Sequence, residues 1–386
     1  MTTSGQRILF VTPSLGGGGA EKQLLYIANG AAQSGFNTSV FCFRDGGAYG
    51  EQLDPSVKRY VSKVSRQSSF KGTVFGLPQL RKCITAFQPH LIVSFLNHMS
   101  IASWLLARPL TSCKRCICIQ NNFEEEVNGA LGRLGSRAFK YLMQRACSSA
   151  AGIVYISKGV QEGFQRSIAT SGTPSVVIYN IAGLEKPSDR LLQEQETCQL
   201  IDDERVADIP LIVACGRMHP QKDYPTLLSA FRLVRNRMQC RLDVLGTGPL
   251  LEDLQKLTRS LGIENDVKFL GFQGKPERYM QRGRVFAISS RFEGFGNVIV
   301  EAMSLGVPVV STDCPYGPGE VITDKCNGLL VPVGDVEALA KAIADVISDE
   351  ELAKRLSVNG QLRAKDFEKE KIIPKYLGFF NQILNG

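Results

Sequence analysis

The sequence predicts an α/β protein of two doubly wound, Rossmann-like domains, each with a parallel sheet covered by helices on both faces. Two segments begin alike: residues 7–13 and 210–216 are largely apolar, and each leads through a glycine-containing loop into an amphipathic helix. A strand without polar alternation is buried on both faces, as strands of parallel sheets are. The length of 386 residues is enough for two such cores.

Strand and helix patterns alternate after both starts, which is typical of doubly wound folds. Strands are predicted near residues 38–43, 91–95, 115–119, 152–156 and 176–179, and again near 241–245, 267–270, 285–288, 307–311 and 328–331. Helices between and after them include 247–261, 335–347 and 369–384, the last with more apolar residues than a free tail would carry.

The polar stretch 181–209 lacks strand character and marks a domain boundary. We therefore expect one domain over residues 1–185, a second over 205–365 and a C-terminal helix within 366–386. Ligands of open α/β sheets bind outside the C-terminal ends of the strands, so the two domains are expected to face a common cleft.

Composition indicates a soluble globular protein, with 44% hydrophobic and 21% charged residues. No apolar run reaches the ~18 residues that span a bilayer, and no signal cleavage site follows the start, so a cytoplasmic, reducing setting is expected. The net charge of +8 is modest for the length and does not imply a nucleic-acid partner. The cysteine-rich run at 113–118 has no matching second pair, so it predicts a strand and no zinc site.

The strongest chemical signal lies in residues 291–303, where Glu293 and Glu301 flank a glycine-containing turn and a short predicted helix over 298–305. Asn297 is its predicted N-cap. The helix N-terminus offers unpaired N–H groups and a positive partial charge, which suit a phosphate. Carboxylates beside a phosphate need another partner, and sugar hydroxyls fit. The alternative interpretation is an ordinary capped surface helix.

A second signal, at residues 216–223, directly follows a strand of the same predicted sheet. Arg217 and Lys222 in this loop could clamp a diphosphate, and the alternative is a solvated loop with two surface cations. The chain has no D-x-D triplet, and its three histidines are widely spaced. We therefore expect no metal or other cofactor, because the two cations and the helix N-terminus would neutralise the diphosphate.

Two further glycine turns are weaker signals. The segment LGTGP at 245–249 again joins a strand to a helix and contains Gly246. The turn at 16–19 does not have the G-x-G-x-x-G spacing, and no ribose-binding acid follows it at the usual distance. These features argue against a nicotinamide dinucleotide.

Together these segments resemble the GT-B retaining glycosyltransferases of family 4, whose members carry an E-x7-E motif. The similarity runs through GGGGAEKQLL, ISKGV, GRMHPQKDYPTLLSAF, LGTGPLLEDL and EGFGNVIVEAMSLGVPVVSTD, and so covers nearly the whole chain. It implies an acceptor-binding first domain, a donor-binding second domain and a last helix that crosses back to the first. It also implies transfer of a hexose or N-acetylhexosamine from a nucleotide sugar, commonly UDP-linked. The implied acceptor is a glycan or lipid-linked glycan in cell-surface polysaccharide or glycolipid synthesis.

The resemblance also implies roles for individual residues. Arg217 and Lys222 would bind the donor diphosphate and Glu293 the transferred sugar, which makes them the catalytic candidates, while Glu301 would hold the ribose. Phe269 would lie by the base. The other donor-binding candidates are Gly17, Gly18, Gly246, Gly294, Phe295, Gly296 and Asn297.

One position departs from the family pattern. Many members carry a His after the strand at 115–119, where this chain has Asn121 and Asn122. Asn121 could replace that His as a hydrogen-bond donor, and His98 is a second candidate in the acceptor cleft, its alternative being a buried structural His. No nucleophile–base pair stands out, and the family resemblance implies retention of configuration. We therefore expect front-face displacement, in which the leaving diphosphate takes the acceptor's proton.

Residues 131–147 form a basic amphipathic pattern without an acidic residue. Its cations are Arg133, Arg137, Lys140 and Arg145, and its apolar residues are Leu131, Leu134, Ala138, Tyr141, Leu142 and Met143. The pattern predicts contact with an anionic membrane on its cytoplasmic side, and the alternative is an apolar face packed on the sheet. Rival functions are sucrose or starch synthesis on the same fold, nucleotide-sugar epimerisation, and non-catalytic binding of a sugar nucleotide.

Overall fold

The chain of the computed structural model divides into two compact units. Unit 1 comprises Met1–Ile181 and Lys369–Gly386, and unit 2 comprises Ala182–Glu368. The structure describes residues 5–16, 18–47, 49–62, 69–107, 113–121, 123, 127, 132–170, 172–182 and 209–386. Most of the predicted boundary at 181–209 lies outside these residues.

Unit 1 is built on a seven-stranded parallel sheet of order β3-β2-β1-β4-β5-β6-β7. Its elements in chain order are β1 (Arg7–Thr12), α1 (Gly19–Gln33), β2 (Asn37–Cys42), β3 (Lys58–Val61), α2 (Ser69–Phe87), β4 (Leu91–Phe95), α3 (Asn97–Ala107), β5 (Lys114–Ile119), α4 (Arg133–Ser148), β6 (Gly152–Tyr155), α5 (Lys158–Ser167) and β7 (Ser175–Val177).

Successive residues of β1 belong to different cores, because side chains alternate across a sheet. Phe10 lies in the core shared by α1 and the final helix. Its ring packs edge to face on that of Phe380, with 6.2 Å between the ring centroids. Leu9 and Val11 lie in a second core with α2 and α3. Helices therefore cover both faces of the sheet, as the apolar strands predicted.

Unit 2 is built on a six-stranded parallel sheet of order β10-β9-β8-β11-β12-β13. Its elements, followed by the final helix that belongs to unit 1, are β8 (Leu211–Cys215), α6 (Tyr224–Arg235), β9 (Arg241–Leu245), α7 (Leu251–Leu261), β10 (Val267–Gly271), α8 (Glu277–Met280), β11 (Val285–Ile288), α9 (Asn297–Ser304), β12 (Val309–Thr312), α10 (Pro318–Val321), β13 (Leu329–Val331), α11 (Val336–Ser348), α12 (Glu350–Ala364) and α13 (Lys369–Asn385).

Most predicted elements are present within two residues of their bounds, and the exceptions have local causes. The helix predicted from residue 247 begins at Leu251, after a turn that contains Pro249. Strand β3 was not predicted, since it is a half-exposed edge strand of sequence KRYV. The last strand of unit 1 is Ser175–Val177, shorter than the predicted 176–179.

Both sheets have a topological switch point, where the strand order reverses direction. It lies between β1 and β4 in unit 1 and between β8 and β11 in unit 2. Ligands of open α/β sheets bind at the C-terminal ends of the strands at such points, because the loops that leave there diverge. The loop over 216–223 follows β8 and the loop over 289–296 follows β11, so both predicted motifs stand at this point of unit 2.

Candidate active site

The centre of the site in unit 2 is an ion pair between the two motifs. Lys222 Nζ lies 2.5 Å from Glu293 Oε1, with side-chain exposures of 18% and 8%. The same carboxylate oxygen accepts a hydrogen bond of 2.7 Å from the Ser290 hydroxyl. Charged groups with so little exposure to water need a partner of opposite charge, and here Lys222 and Glu293 serve as partners to each other. The loops that sequence analysis expected at one sheet edge are thus in direct contact.

Several bonds besides the ion pair tie the two loops together. The Arg291 amide donates to Gln221 O at 2.8 Å, and the Gln221 side chain donates to Phe292 O at 3.0 Å. The Ser289 hydroxyl lies 2.8 Å from Lys222 O and 2.9 Å from the next carbonyl. The backbone that carries Lys222 is therefore fixed to the end of β11.

Asp223, the residue after Lys222, completes this fixation. Its backbone is left-handed, with φ of 45°, and its buried carboxylate pairs with Arg291 Nε at 3.1 Å and accepts from the Thr226 hydroxyl at 3.0 Å. A left-handed non-glycine residue is uncommon, and Asp tolerates it better than most. This geometry turns the chain sharply from the Lys222 loop into α6.

The N-terminus of α9 differs from the prediction in one respect. Gly296 is the N-cap, with φ of 85°, and Asn297 is the first helical residue, so the predicted capping role of Asn297 is wrong. Glycine suits this position because the chain enters the helix through a positive φ, which glycine adopts without a steric penalty. Gly294 and Asn297 are half-buried, and Gly296 is buried.

The charges of both motifs act on one thiol at the end of β8. Burial is the main cause that raises the pKa of Cys215 to about 12. The carboxylate of Glu301 raises the pKa further, and the ammonium of Lys222 lowers it. Glu301, one turn into α9, is therefore in the same electrostatic neighbourhood as Lys222.

Gly246 has a structural reason to be glycine. Its φ is 124°, and a Cβ there would lie 2.1 Å from Gly216 O. The Met218 amide also donates to Thr247 O at 3.0 Å, so the loops after β8 and β9 touch backbone to backbone. Arg217, whose side chain is exposed, lies on the first of these loops.

Of the aromatic candidates, Phe295 faces inward and Phe269 is partly buried. The Phe295 ring packs edge to face on Phe367, with 5.2 Å between the ring centroids, and its side chain is buried in unit 2. Phe269 packs against the core of unit 2. Sequence analysis missed Phe272, just after β10, whose side chain is 73% exposed. It also missed Ser289, Ser290 and Asp223. Two serines at the end of a buried apolar strand, directly before the glutamate motif, could have indicated polar contacts at this edge of the sheet.

The candidates in unit 1 lie after β1, β4 and β5. Gly17 lies outside the described residues. The Gly18 amide donates to Glu21 Oε2 at 2.6 Å, and the Ser14 hydroxyl donates to Oε1 at 2.5 Å, so the chain's own carboxylate caps α1. Asn121 is exposed.

His98 is mostly enclosed at the start of α3. Its Nε2 is buried and, within the part of the chain that the structure describes, has no hydrogen-bond partner. Burial, with a smaller effect of the nearby Arg44 charge, lowers its pKa to about 4. His98 is therefore a neutral imidazole near pH 7.

Two further observations concern metals and membranes. Among the described residues, no group of three or more His, Cys, Asp or Glu side chains is placed to hold a metal ion. Cys116 and Cys118 are buried in β5, as the strand interpretation predicted. No helix in the described ranges combines the length and the apolar character that crossing a bilayer requires.

Comparison with known families assigns the chain. Residues 17–186 match the family described as Glycosyltransferase Family 4, and residues 201–363 match the one described as Glycosyl transferases group 1. The chain belongs to the family 4 glycosyltransferases. The resemblance to family 4 glycosyltransferases is thereby confirmed, and this family 4 enzyme transfers glycosyl groups. Its membership disfavours the epimerase and the non-catalytic binding protein.

Relatives and solved structures agree with this assignment. The enzyme is 30% identical over 254 residues to the N-acetylgalactosamine-N,N'-diacetylbacillosaminyl-diphospho-undecaprenol 4-alpha-N-acetylgalactosaminyltransferase of Campylobacter jejuni, covering 66% of this chain and 63% of that protein. It is 36% identical over 172 residues to the lipopolysaccharide core biosynthesis glycosyltransferase LpsE of Rhizobium meliloti, covering 44% of this chain and 49% of that protein. The crystal structure of Anabaena HepE in complex with UDP-glucose has the same fold, with a TM-score of 0.78 at 23% identity over 97% of this chain and 99% of that one. The predicted GT-B fold is confirmed.

Proposed function

We propose that this enzyme is a retaining, metal-independent transferase that moves a hexose or N-acetylhexosamine from a UDP-sugar to a glycan or lipid-linked glycan. The acceptor class is supported by the Campylobacter and Rhizobium relatives, which are named for a diphospho-undecaprenol glycan and for lipopolysaccharide core. The HepE complex with UDP-glucose, which has the same fold, supports UDP as the nucleotide. The product belongs to cell-surface polysaccharide or glycolipid synthesis.

The observation that carries the proposal is the meeting of Lys222 and Glu293 just before the N-terminus of α9. The Lys222 ammonium, the guanidinium of Arg217 from the same loop and the helix amides can neutralise a diphosphate without a metal. Glu293 supplies an acceptor for hydroxyls of the transferred sugar. Glu301, one turn along the helix, supplies the same for the ribose.

The reaction proceeds by front-face displacement. The bond between the anomeric carbon and the diphosphate oxygen breaks as the acceptor oxygen bonds to the same face of that carbon. The departing diphosphate oxygen takes the acceptor's proton, so atoms and charge balance without a protein nucleophile. The enzyme contributes by orienting both substrates and by stabilising the charge that develops on the leaving group.

A nucleotide-release assay over a panel of UDP- and GDP-sugars, with and without a lipid-linked acceptor, tests the proposal. We expect UDP release that depends on acceptor, persists in EDTA, and gives a product whose anomeric coupling constant matches that of the donor. If no donor releases its nucleotide, the transferase activity is contradicted. Loss of activity in EDTA would contradict metal independence, and a product of inverted anomeric configuration would contradict retention. A new nucleotide sugar formed without acceptor would indicate an epimerase.

The exposed face of α4 supports a peripheral place at the inner face of an anionic membrane. Leu134 and Tyr141 on this face are 82% and 64% exposed, and Arg137 and Arg145 are exposed beside them. Met143, from the predicted apolar face, is buried and so is not part of this exposed surface, and Leu131 lies outside the described residues. Leucine and tyrosine between cations suit an interface where apolar groups enter and charges meet anionic headgroups.

Co-sedimentation with anionic vesicles at low salt tests this placement. We expect binding by the wild type, weaker binding by Leu134→Ser/Tyr141→Ser, and loss at high salt. Val358→Ser/Leu362→Ser is the matched control, because it removes two exposed apolar side chains from α12 of unit 2. Equal binding by both double variants would contradict the placement on α4.

A further inference from the structure

Two consecutive serines, Ser289 and Ser290, stand between the two halves of the candidate active site. They follow the last residue of β11, and both are buried. Their hydroxyls point to different loops. Ser289 bonds the carbonyls of Lys222 and Asp223, at 2.8 and 2.9 Å, and Ser290 bonds Glu293 Oε1 at 2.7 Å.

The Ser290 backbone is itself held from the neighbouring strand. The Thr312 hydroxyl, at the end of β12, donates to Ser290 O at 2.6 Å. Buried hydroxyls that form such hydrogen bonds restrict the backbone, because breaking one of these bonds leaves a buried polar group without that partner. The serine pair is thereby anchored to the sheet and has little freedom to follow the loops it holds.

The loop that carries Lys222 depends on such bonds because it contains no regular strand or long helix. Pro220–Lys222 is a single turn of 3-10 helix, and Asp223 after it is left-handed. Short 3-10 turns and left-handed residues are weakly stable by themselves and persist where surrounding contacts impose them. Ser289 supplies two of those contacts at the residues that flank the turn's end.

We infer that Ser289 and Ser290 are positioning residues, which fix Lys222 through its backbone and Glu293 through its carboxylate at the donor diphosphate and sugar. The inference rests on the proposed function, because it assigns no chemistry of its own to either hydroxyl. Ser290 occupies one carboxylate oxygen of Glu293 together with Lys222, which orients the carboxylate plane. Ser289 fixes the position of the Lys222 backbone, from which the Lys222 side chain extends to Glu293.

A double-mutant cycle separates positioning from a general structural role. Ser289→Ala is expected to lower kcat/KM for the donor about tenfold, the scale at which small displacements of a reacting group cost rate. In a Lys222→Ala background the same change is expected to cost less than about twofold, because the group that Ser289 positions is gone. Ser290→Ala is expected to behave in the same way against Glu293→Gln.

Ser311→Ala is the matched control. Ser311 is a buried serine in β12 whose hydroxyl bonds the adjacent Thr312 O at 3.0 Å and reaches neither loop. It should lower thermal stability as the other two variants do while leaving kcat/KM unchanged. Full additivity in both cycles, or equal kinetic losses in all three serine variants, would overturn the inference. Absence of turnover in the wild type with every donor would instead refute the proposed function.

Discussion

Lys222 Nζ and Glu293 Oε1 lie 2.5 Å apart although 71 positions separate the two residues in the chain. Parallel neighbours explain the meeting, because β8 and β11 pair in register and release their following loops at the same edge. A donor diphosphate that binds Lys222 must therefore share the ammonium with Glu293 or draw it away. Under the proposed function, this competition would give the ion pair a part in donor binding as well as in local stability.

The first prediction concerns the two cations. Lys222→Ala and Arg217→Ala should each lose ~2–4 kcal/mol of transition-state stabilisation, the scale of one preorganised donor to a leaving group. The measurement is kcat/KM for the donor. Lys256→Ala, which removes an exposed lysine paired to Asp253 on α7, is the control and should keep wild-type kinetics. Turnover of both site variants within about threefold of wild type would refute the diphosphate role.

A second prediction tests the close backbone packing at Gly246. A methyl group there would meet Gly216 O, and the φ of 124° strains any other residue. Gly246→Ala should lower the free energy of unfolding by more than ~2 kcal/mol in urea titrations. Gly262→Ala is the comparison, because that glycine has φ of 66° and open space around its Cβ. Equal losses from the two changes would show that the predicted clash is relieved.

The sequence predicted the sheets better than the contacts at their edges. Apolar runs such as 91–95 revealed buried parallel strands, because a strand buried on both faces has a continuous run of apolar residues instead of an alternation of apolar and polar ones. The polar edge strand Lys58–Val61 gave no such pattern. Proximity of the two motifs followed from strand order, but the bond from Ser289 to the Lys222 carbonyl depends on how two irregular loops cross. No periodicity encodes that crossing, and the left-handed Asp223 that shapes it has no clear sequence signature.

A third prediction follows from His98. Its folded-state pKa of about 4 lies below the ordinary value of 6.5, so the unfolded chain binds this proton first as the pH falls. Stability from this group is complete above the unfolded pKa and decreases from about pH 6.5 towards pH 4. Between pH 7 and pH 5 the loss is about 2 kcal/mol.

Urea titrations at both pH values, on the wild type and on His98→Asn, measure this share. Asn cannot titrate, so the variant should show a smaller difference in unfolding free energy between pH 7 and pH 5. An unchanged difference would mean that His98 is protonated in the folded state at pH 5. That result would contradict the neutral imidazole described above.

The last prediction concerns the final helix, α13, whose C-terminal end is tied to the sheet of unit 1 by one lysine. Lys114 Nζ, at the start of β5, donates to Ile383 O at 2.8 Å and to Leu384 O at 3.3 Å. The last carbonyls of a helix lack partners within it, and a cation there also meets the negative end of the helix dipole. Lys114→Met should therefore release the last turn of α13 and cost about 1 kcal/mol.

Hydrogen exchange of the α13 amides would report the change as faster exchange near Ile383, with little effect near Ile372, which is buried in the unit 1 core. Lys375→Met is the matched control, because Lys375 is an exposed lysine on the same helix and its loss should leave the exchange pattern unchanged. If Lys114→Met and Lys375→Met exchange alike near Ile383, packing by neighbouring aromatic residues such as Phe380 holds the helix end without the lysine.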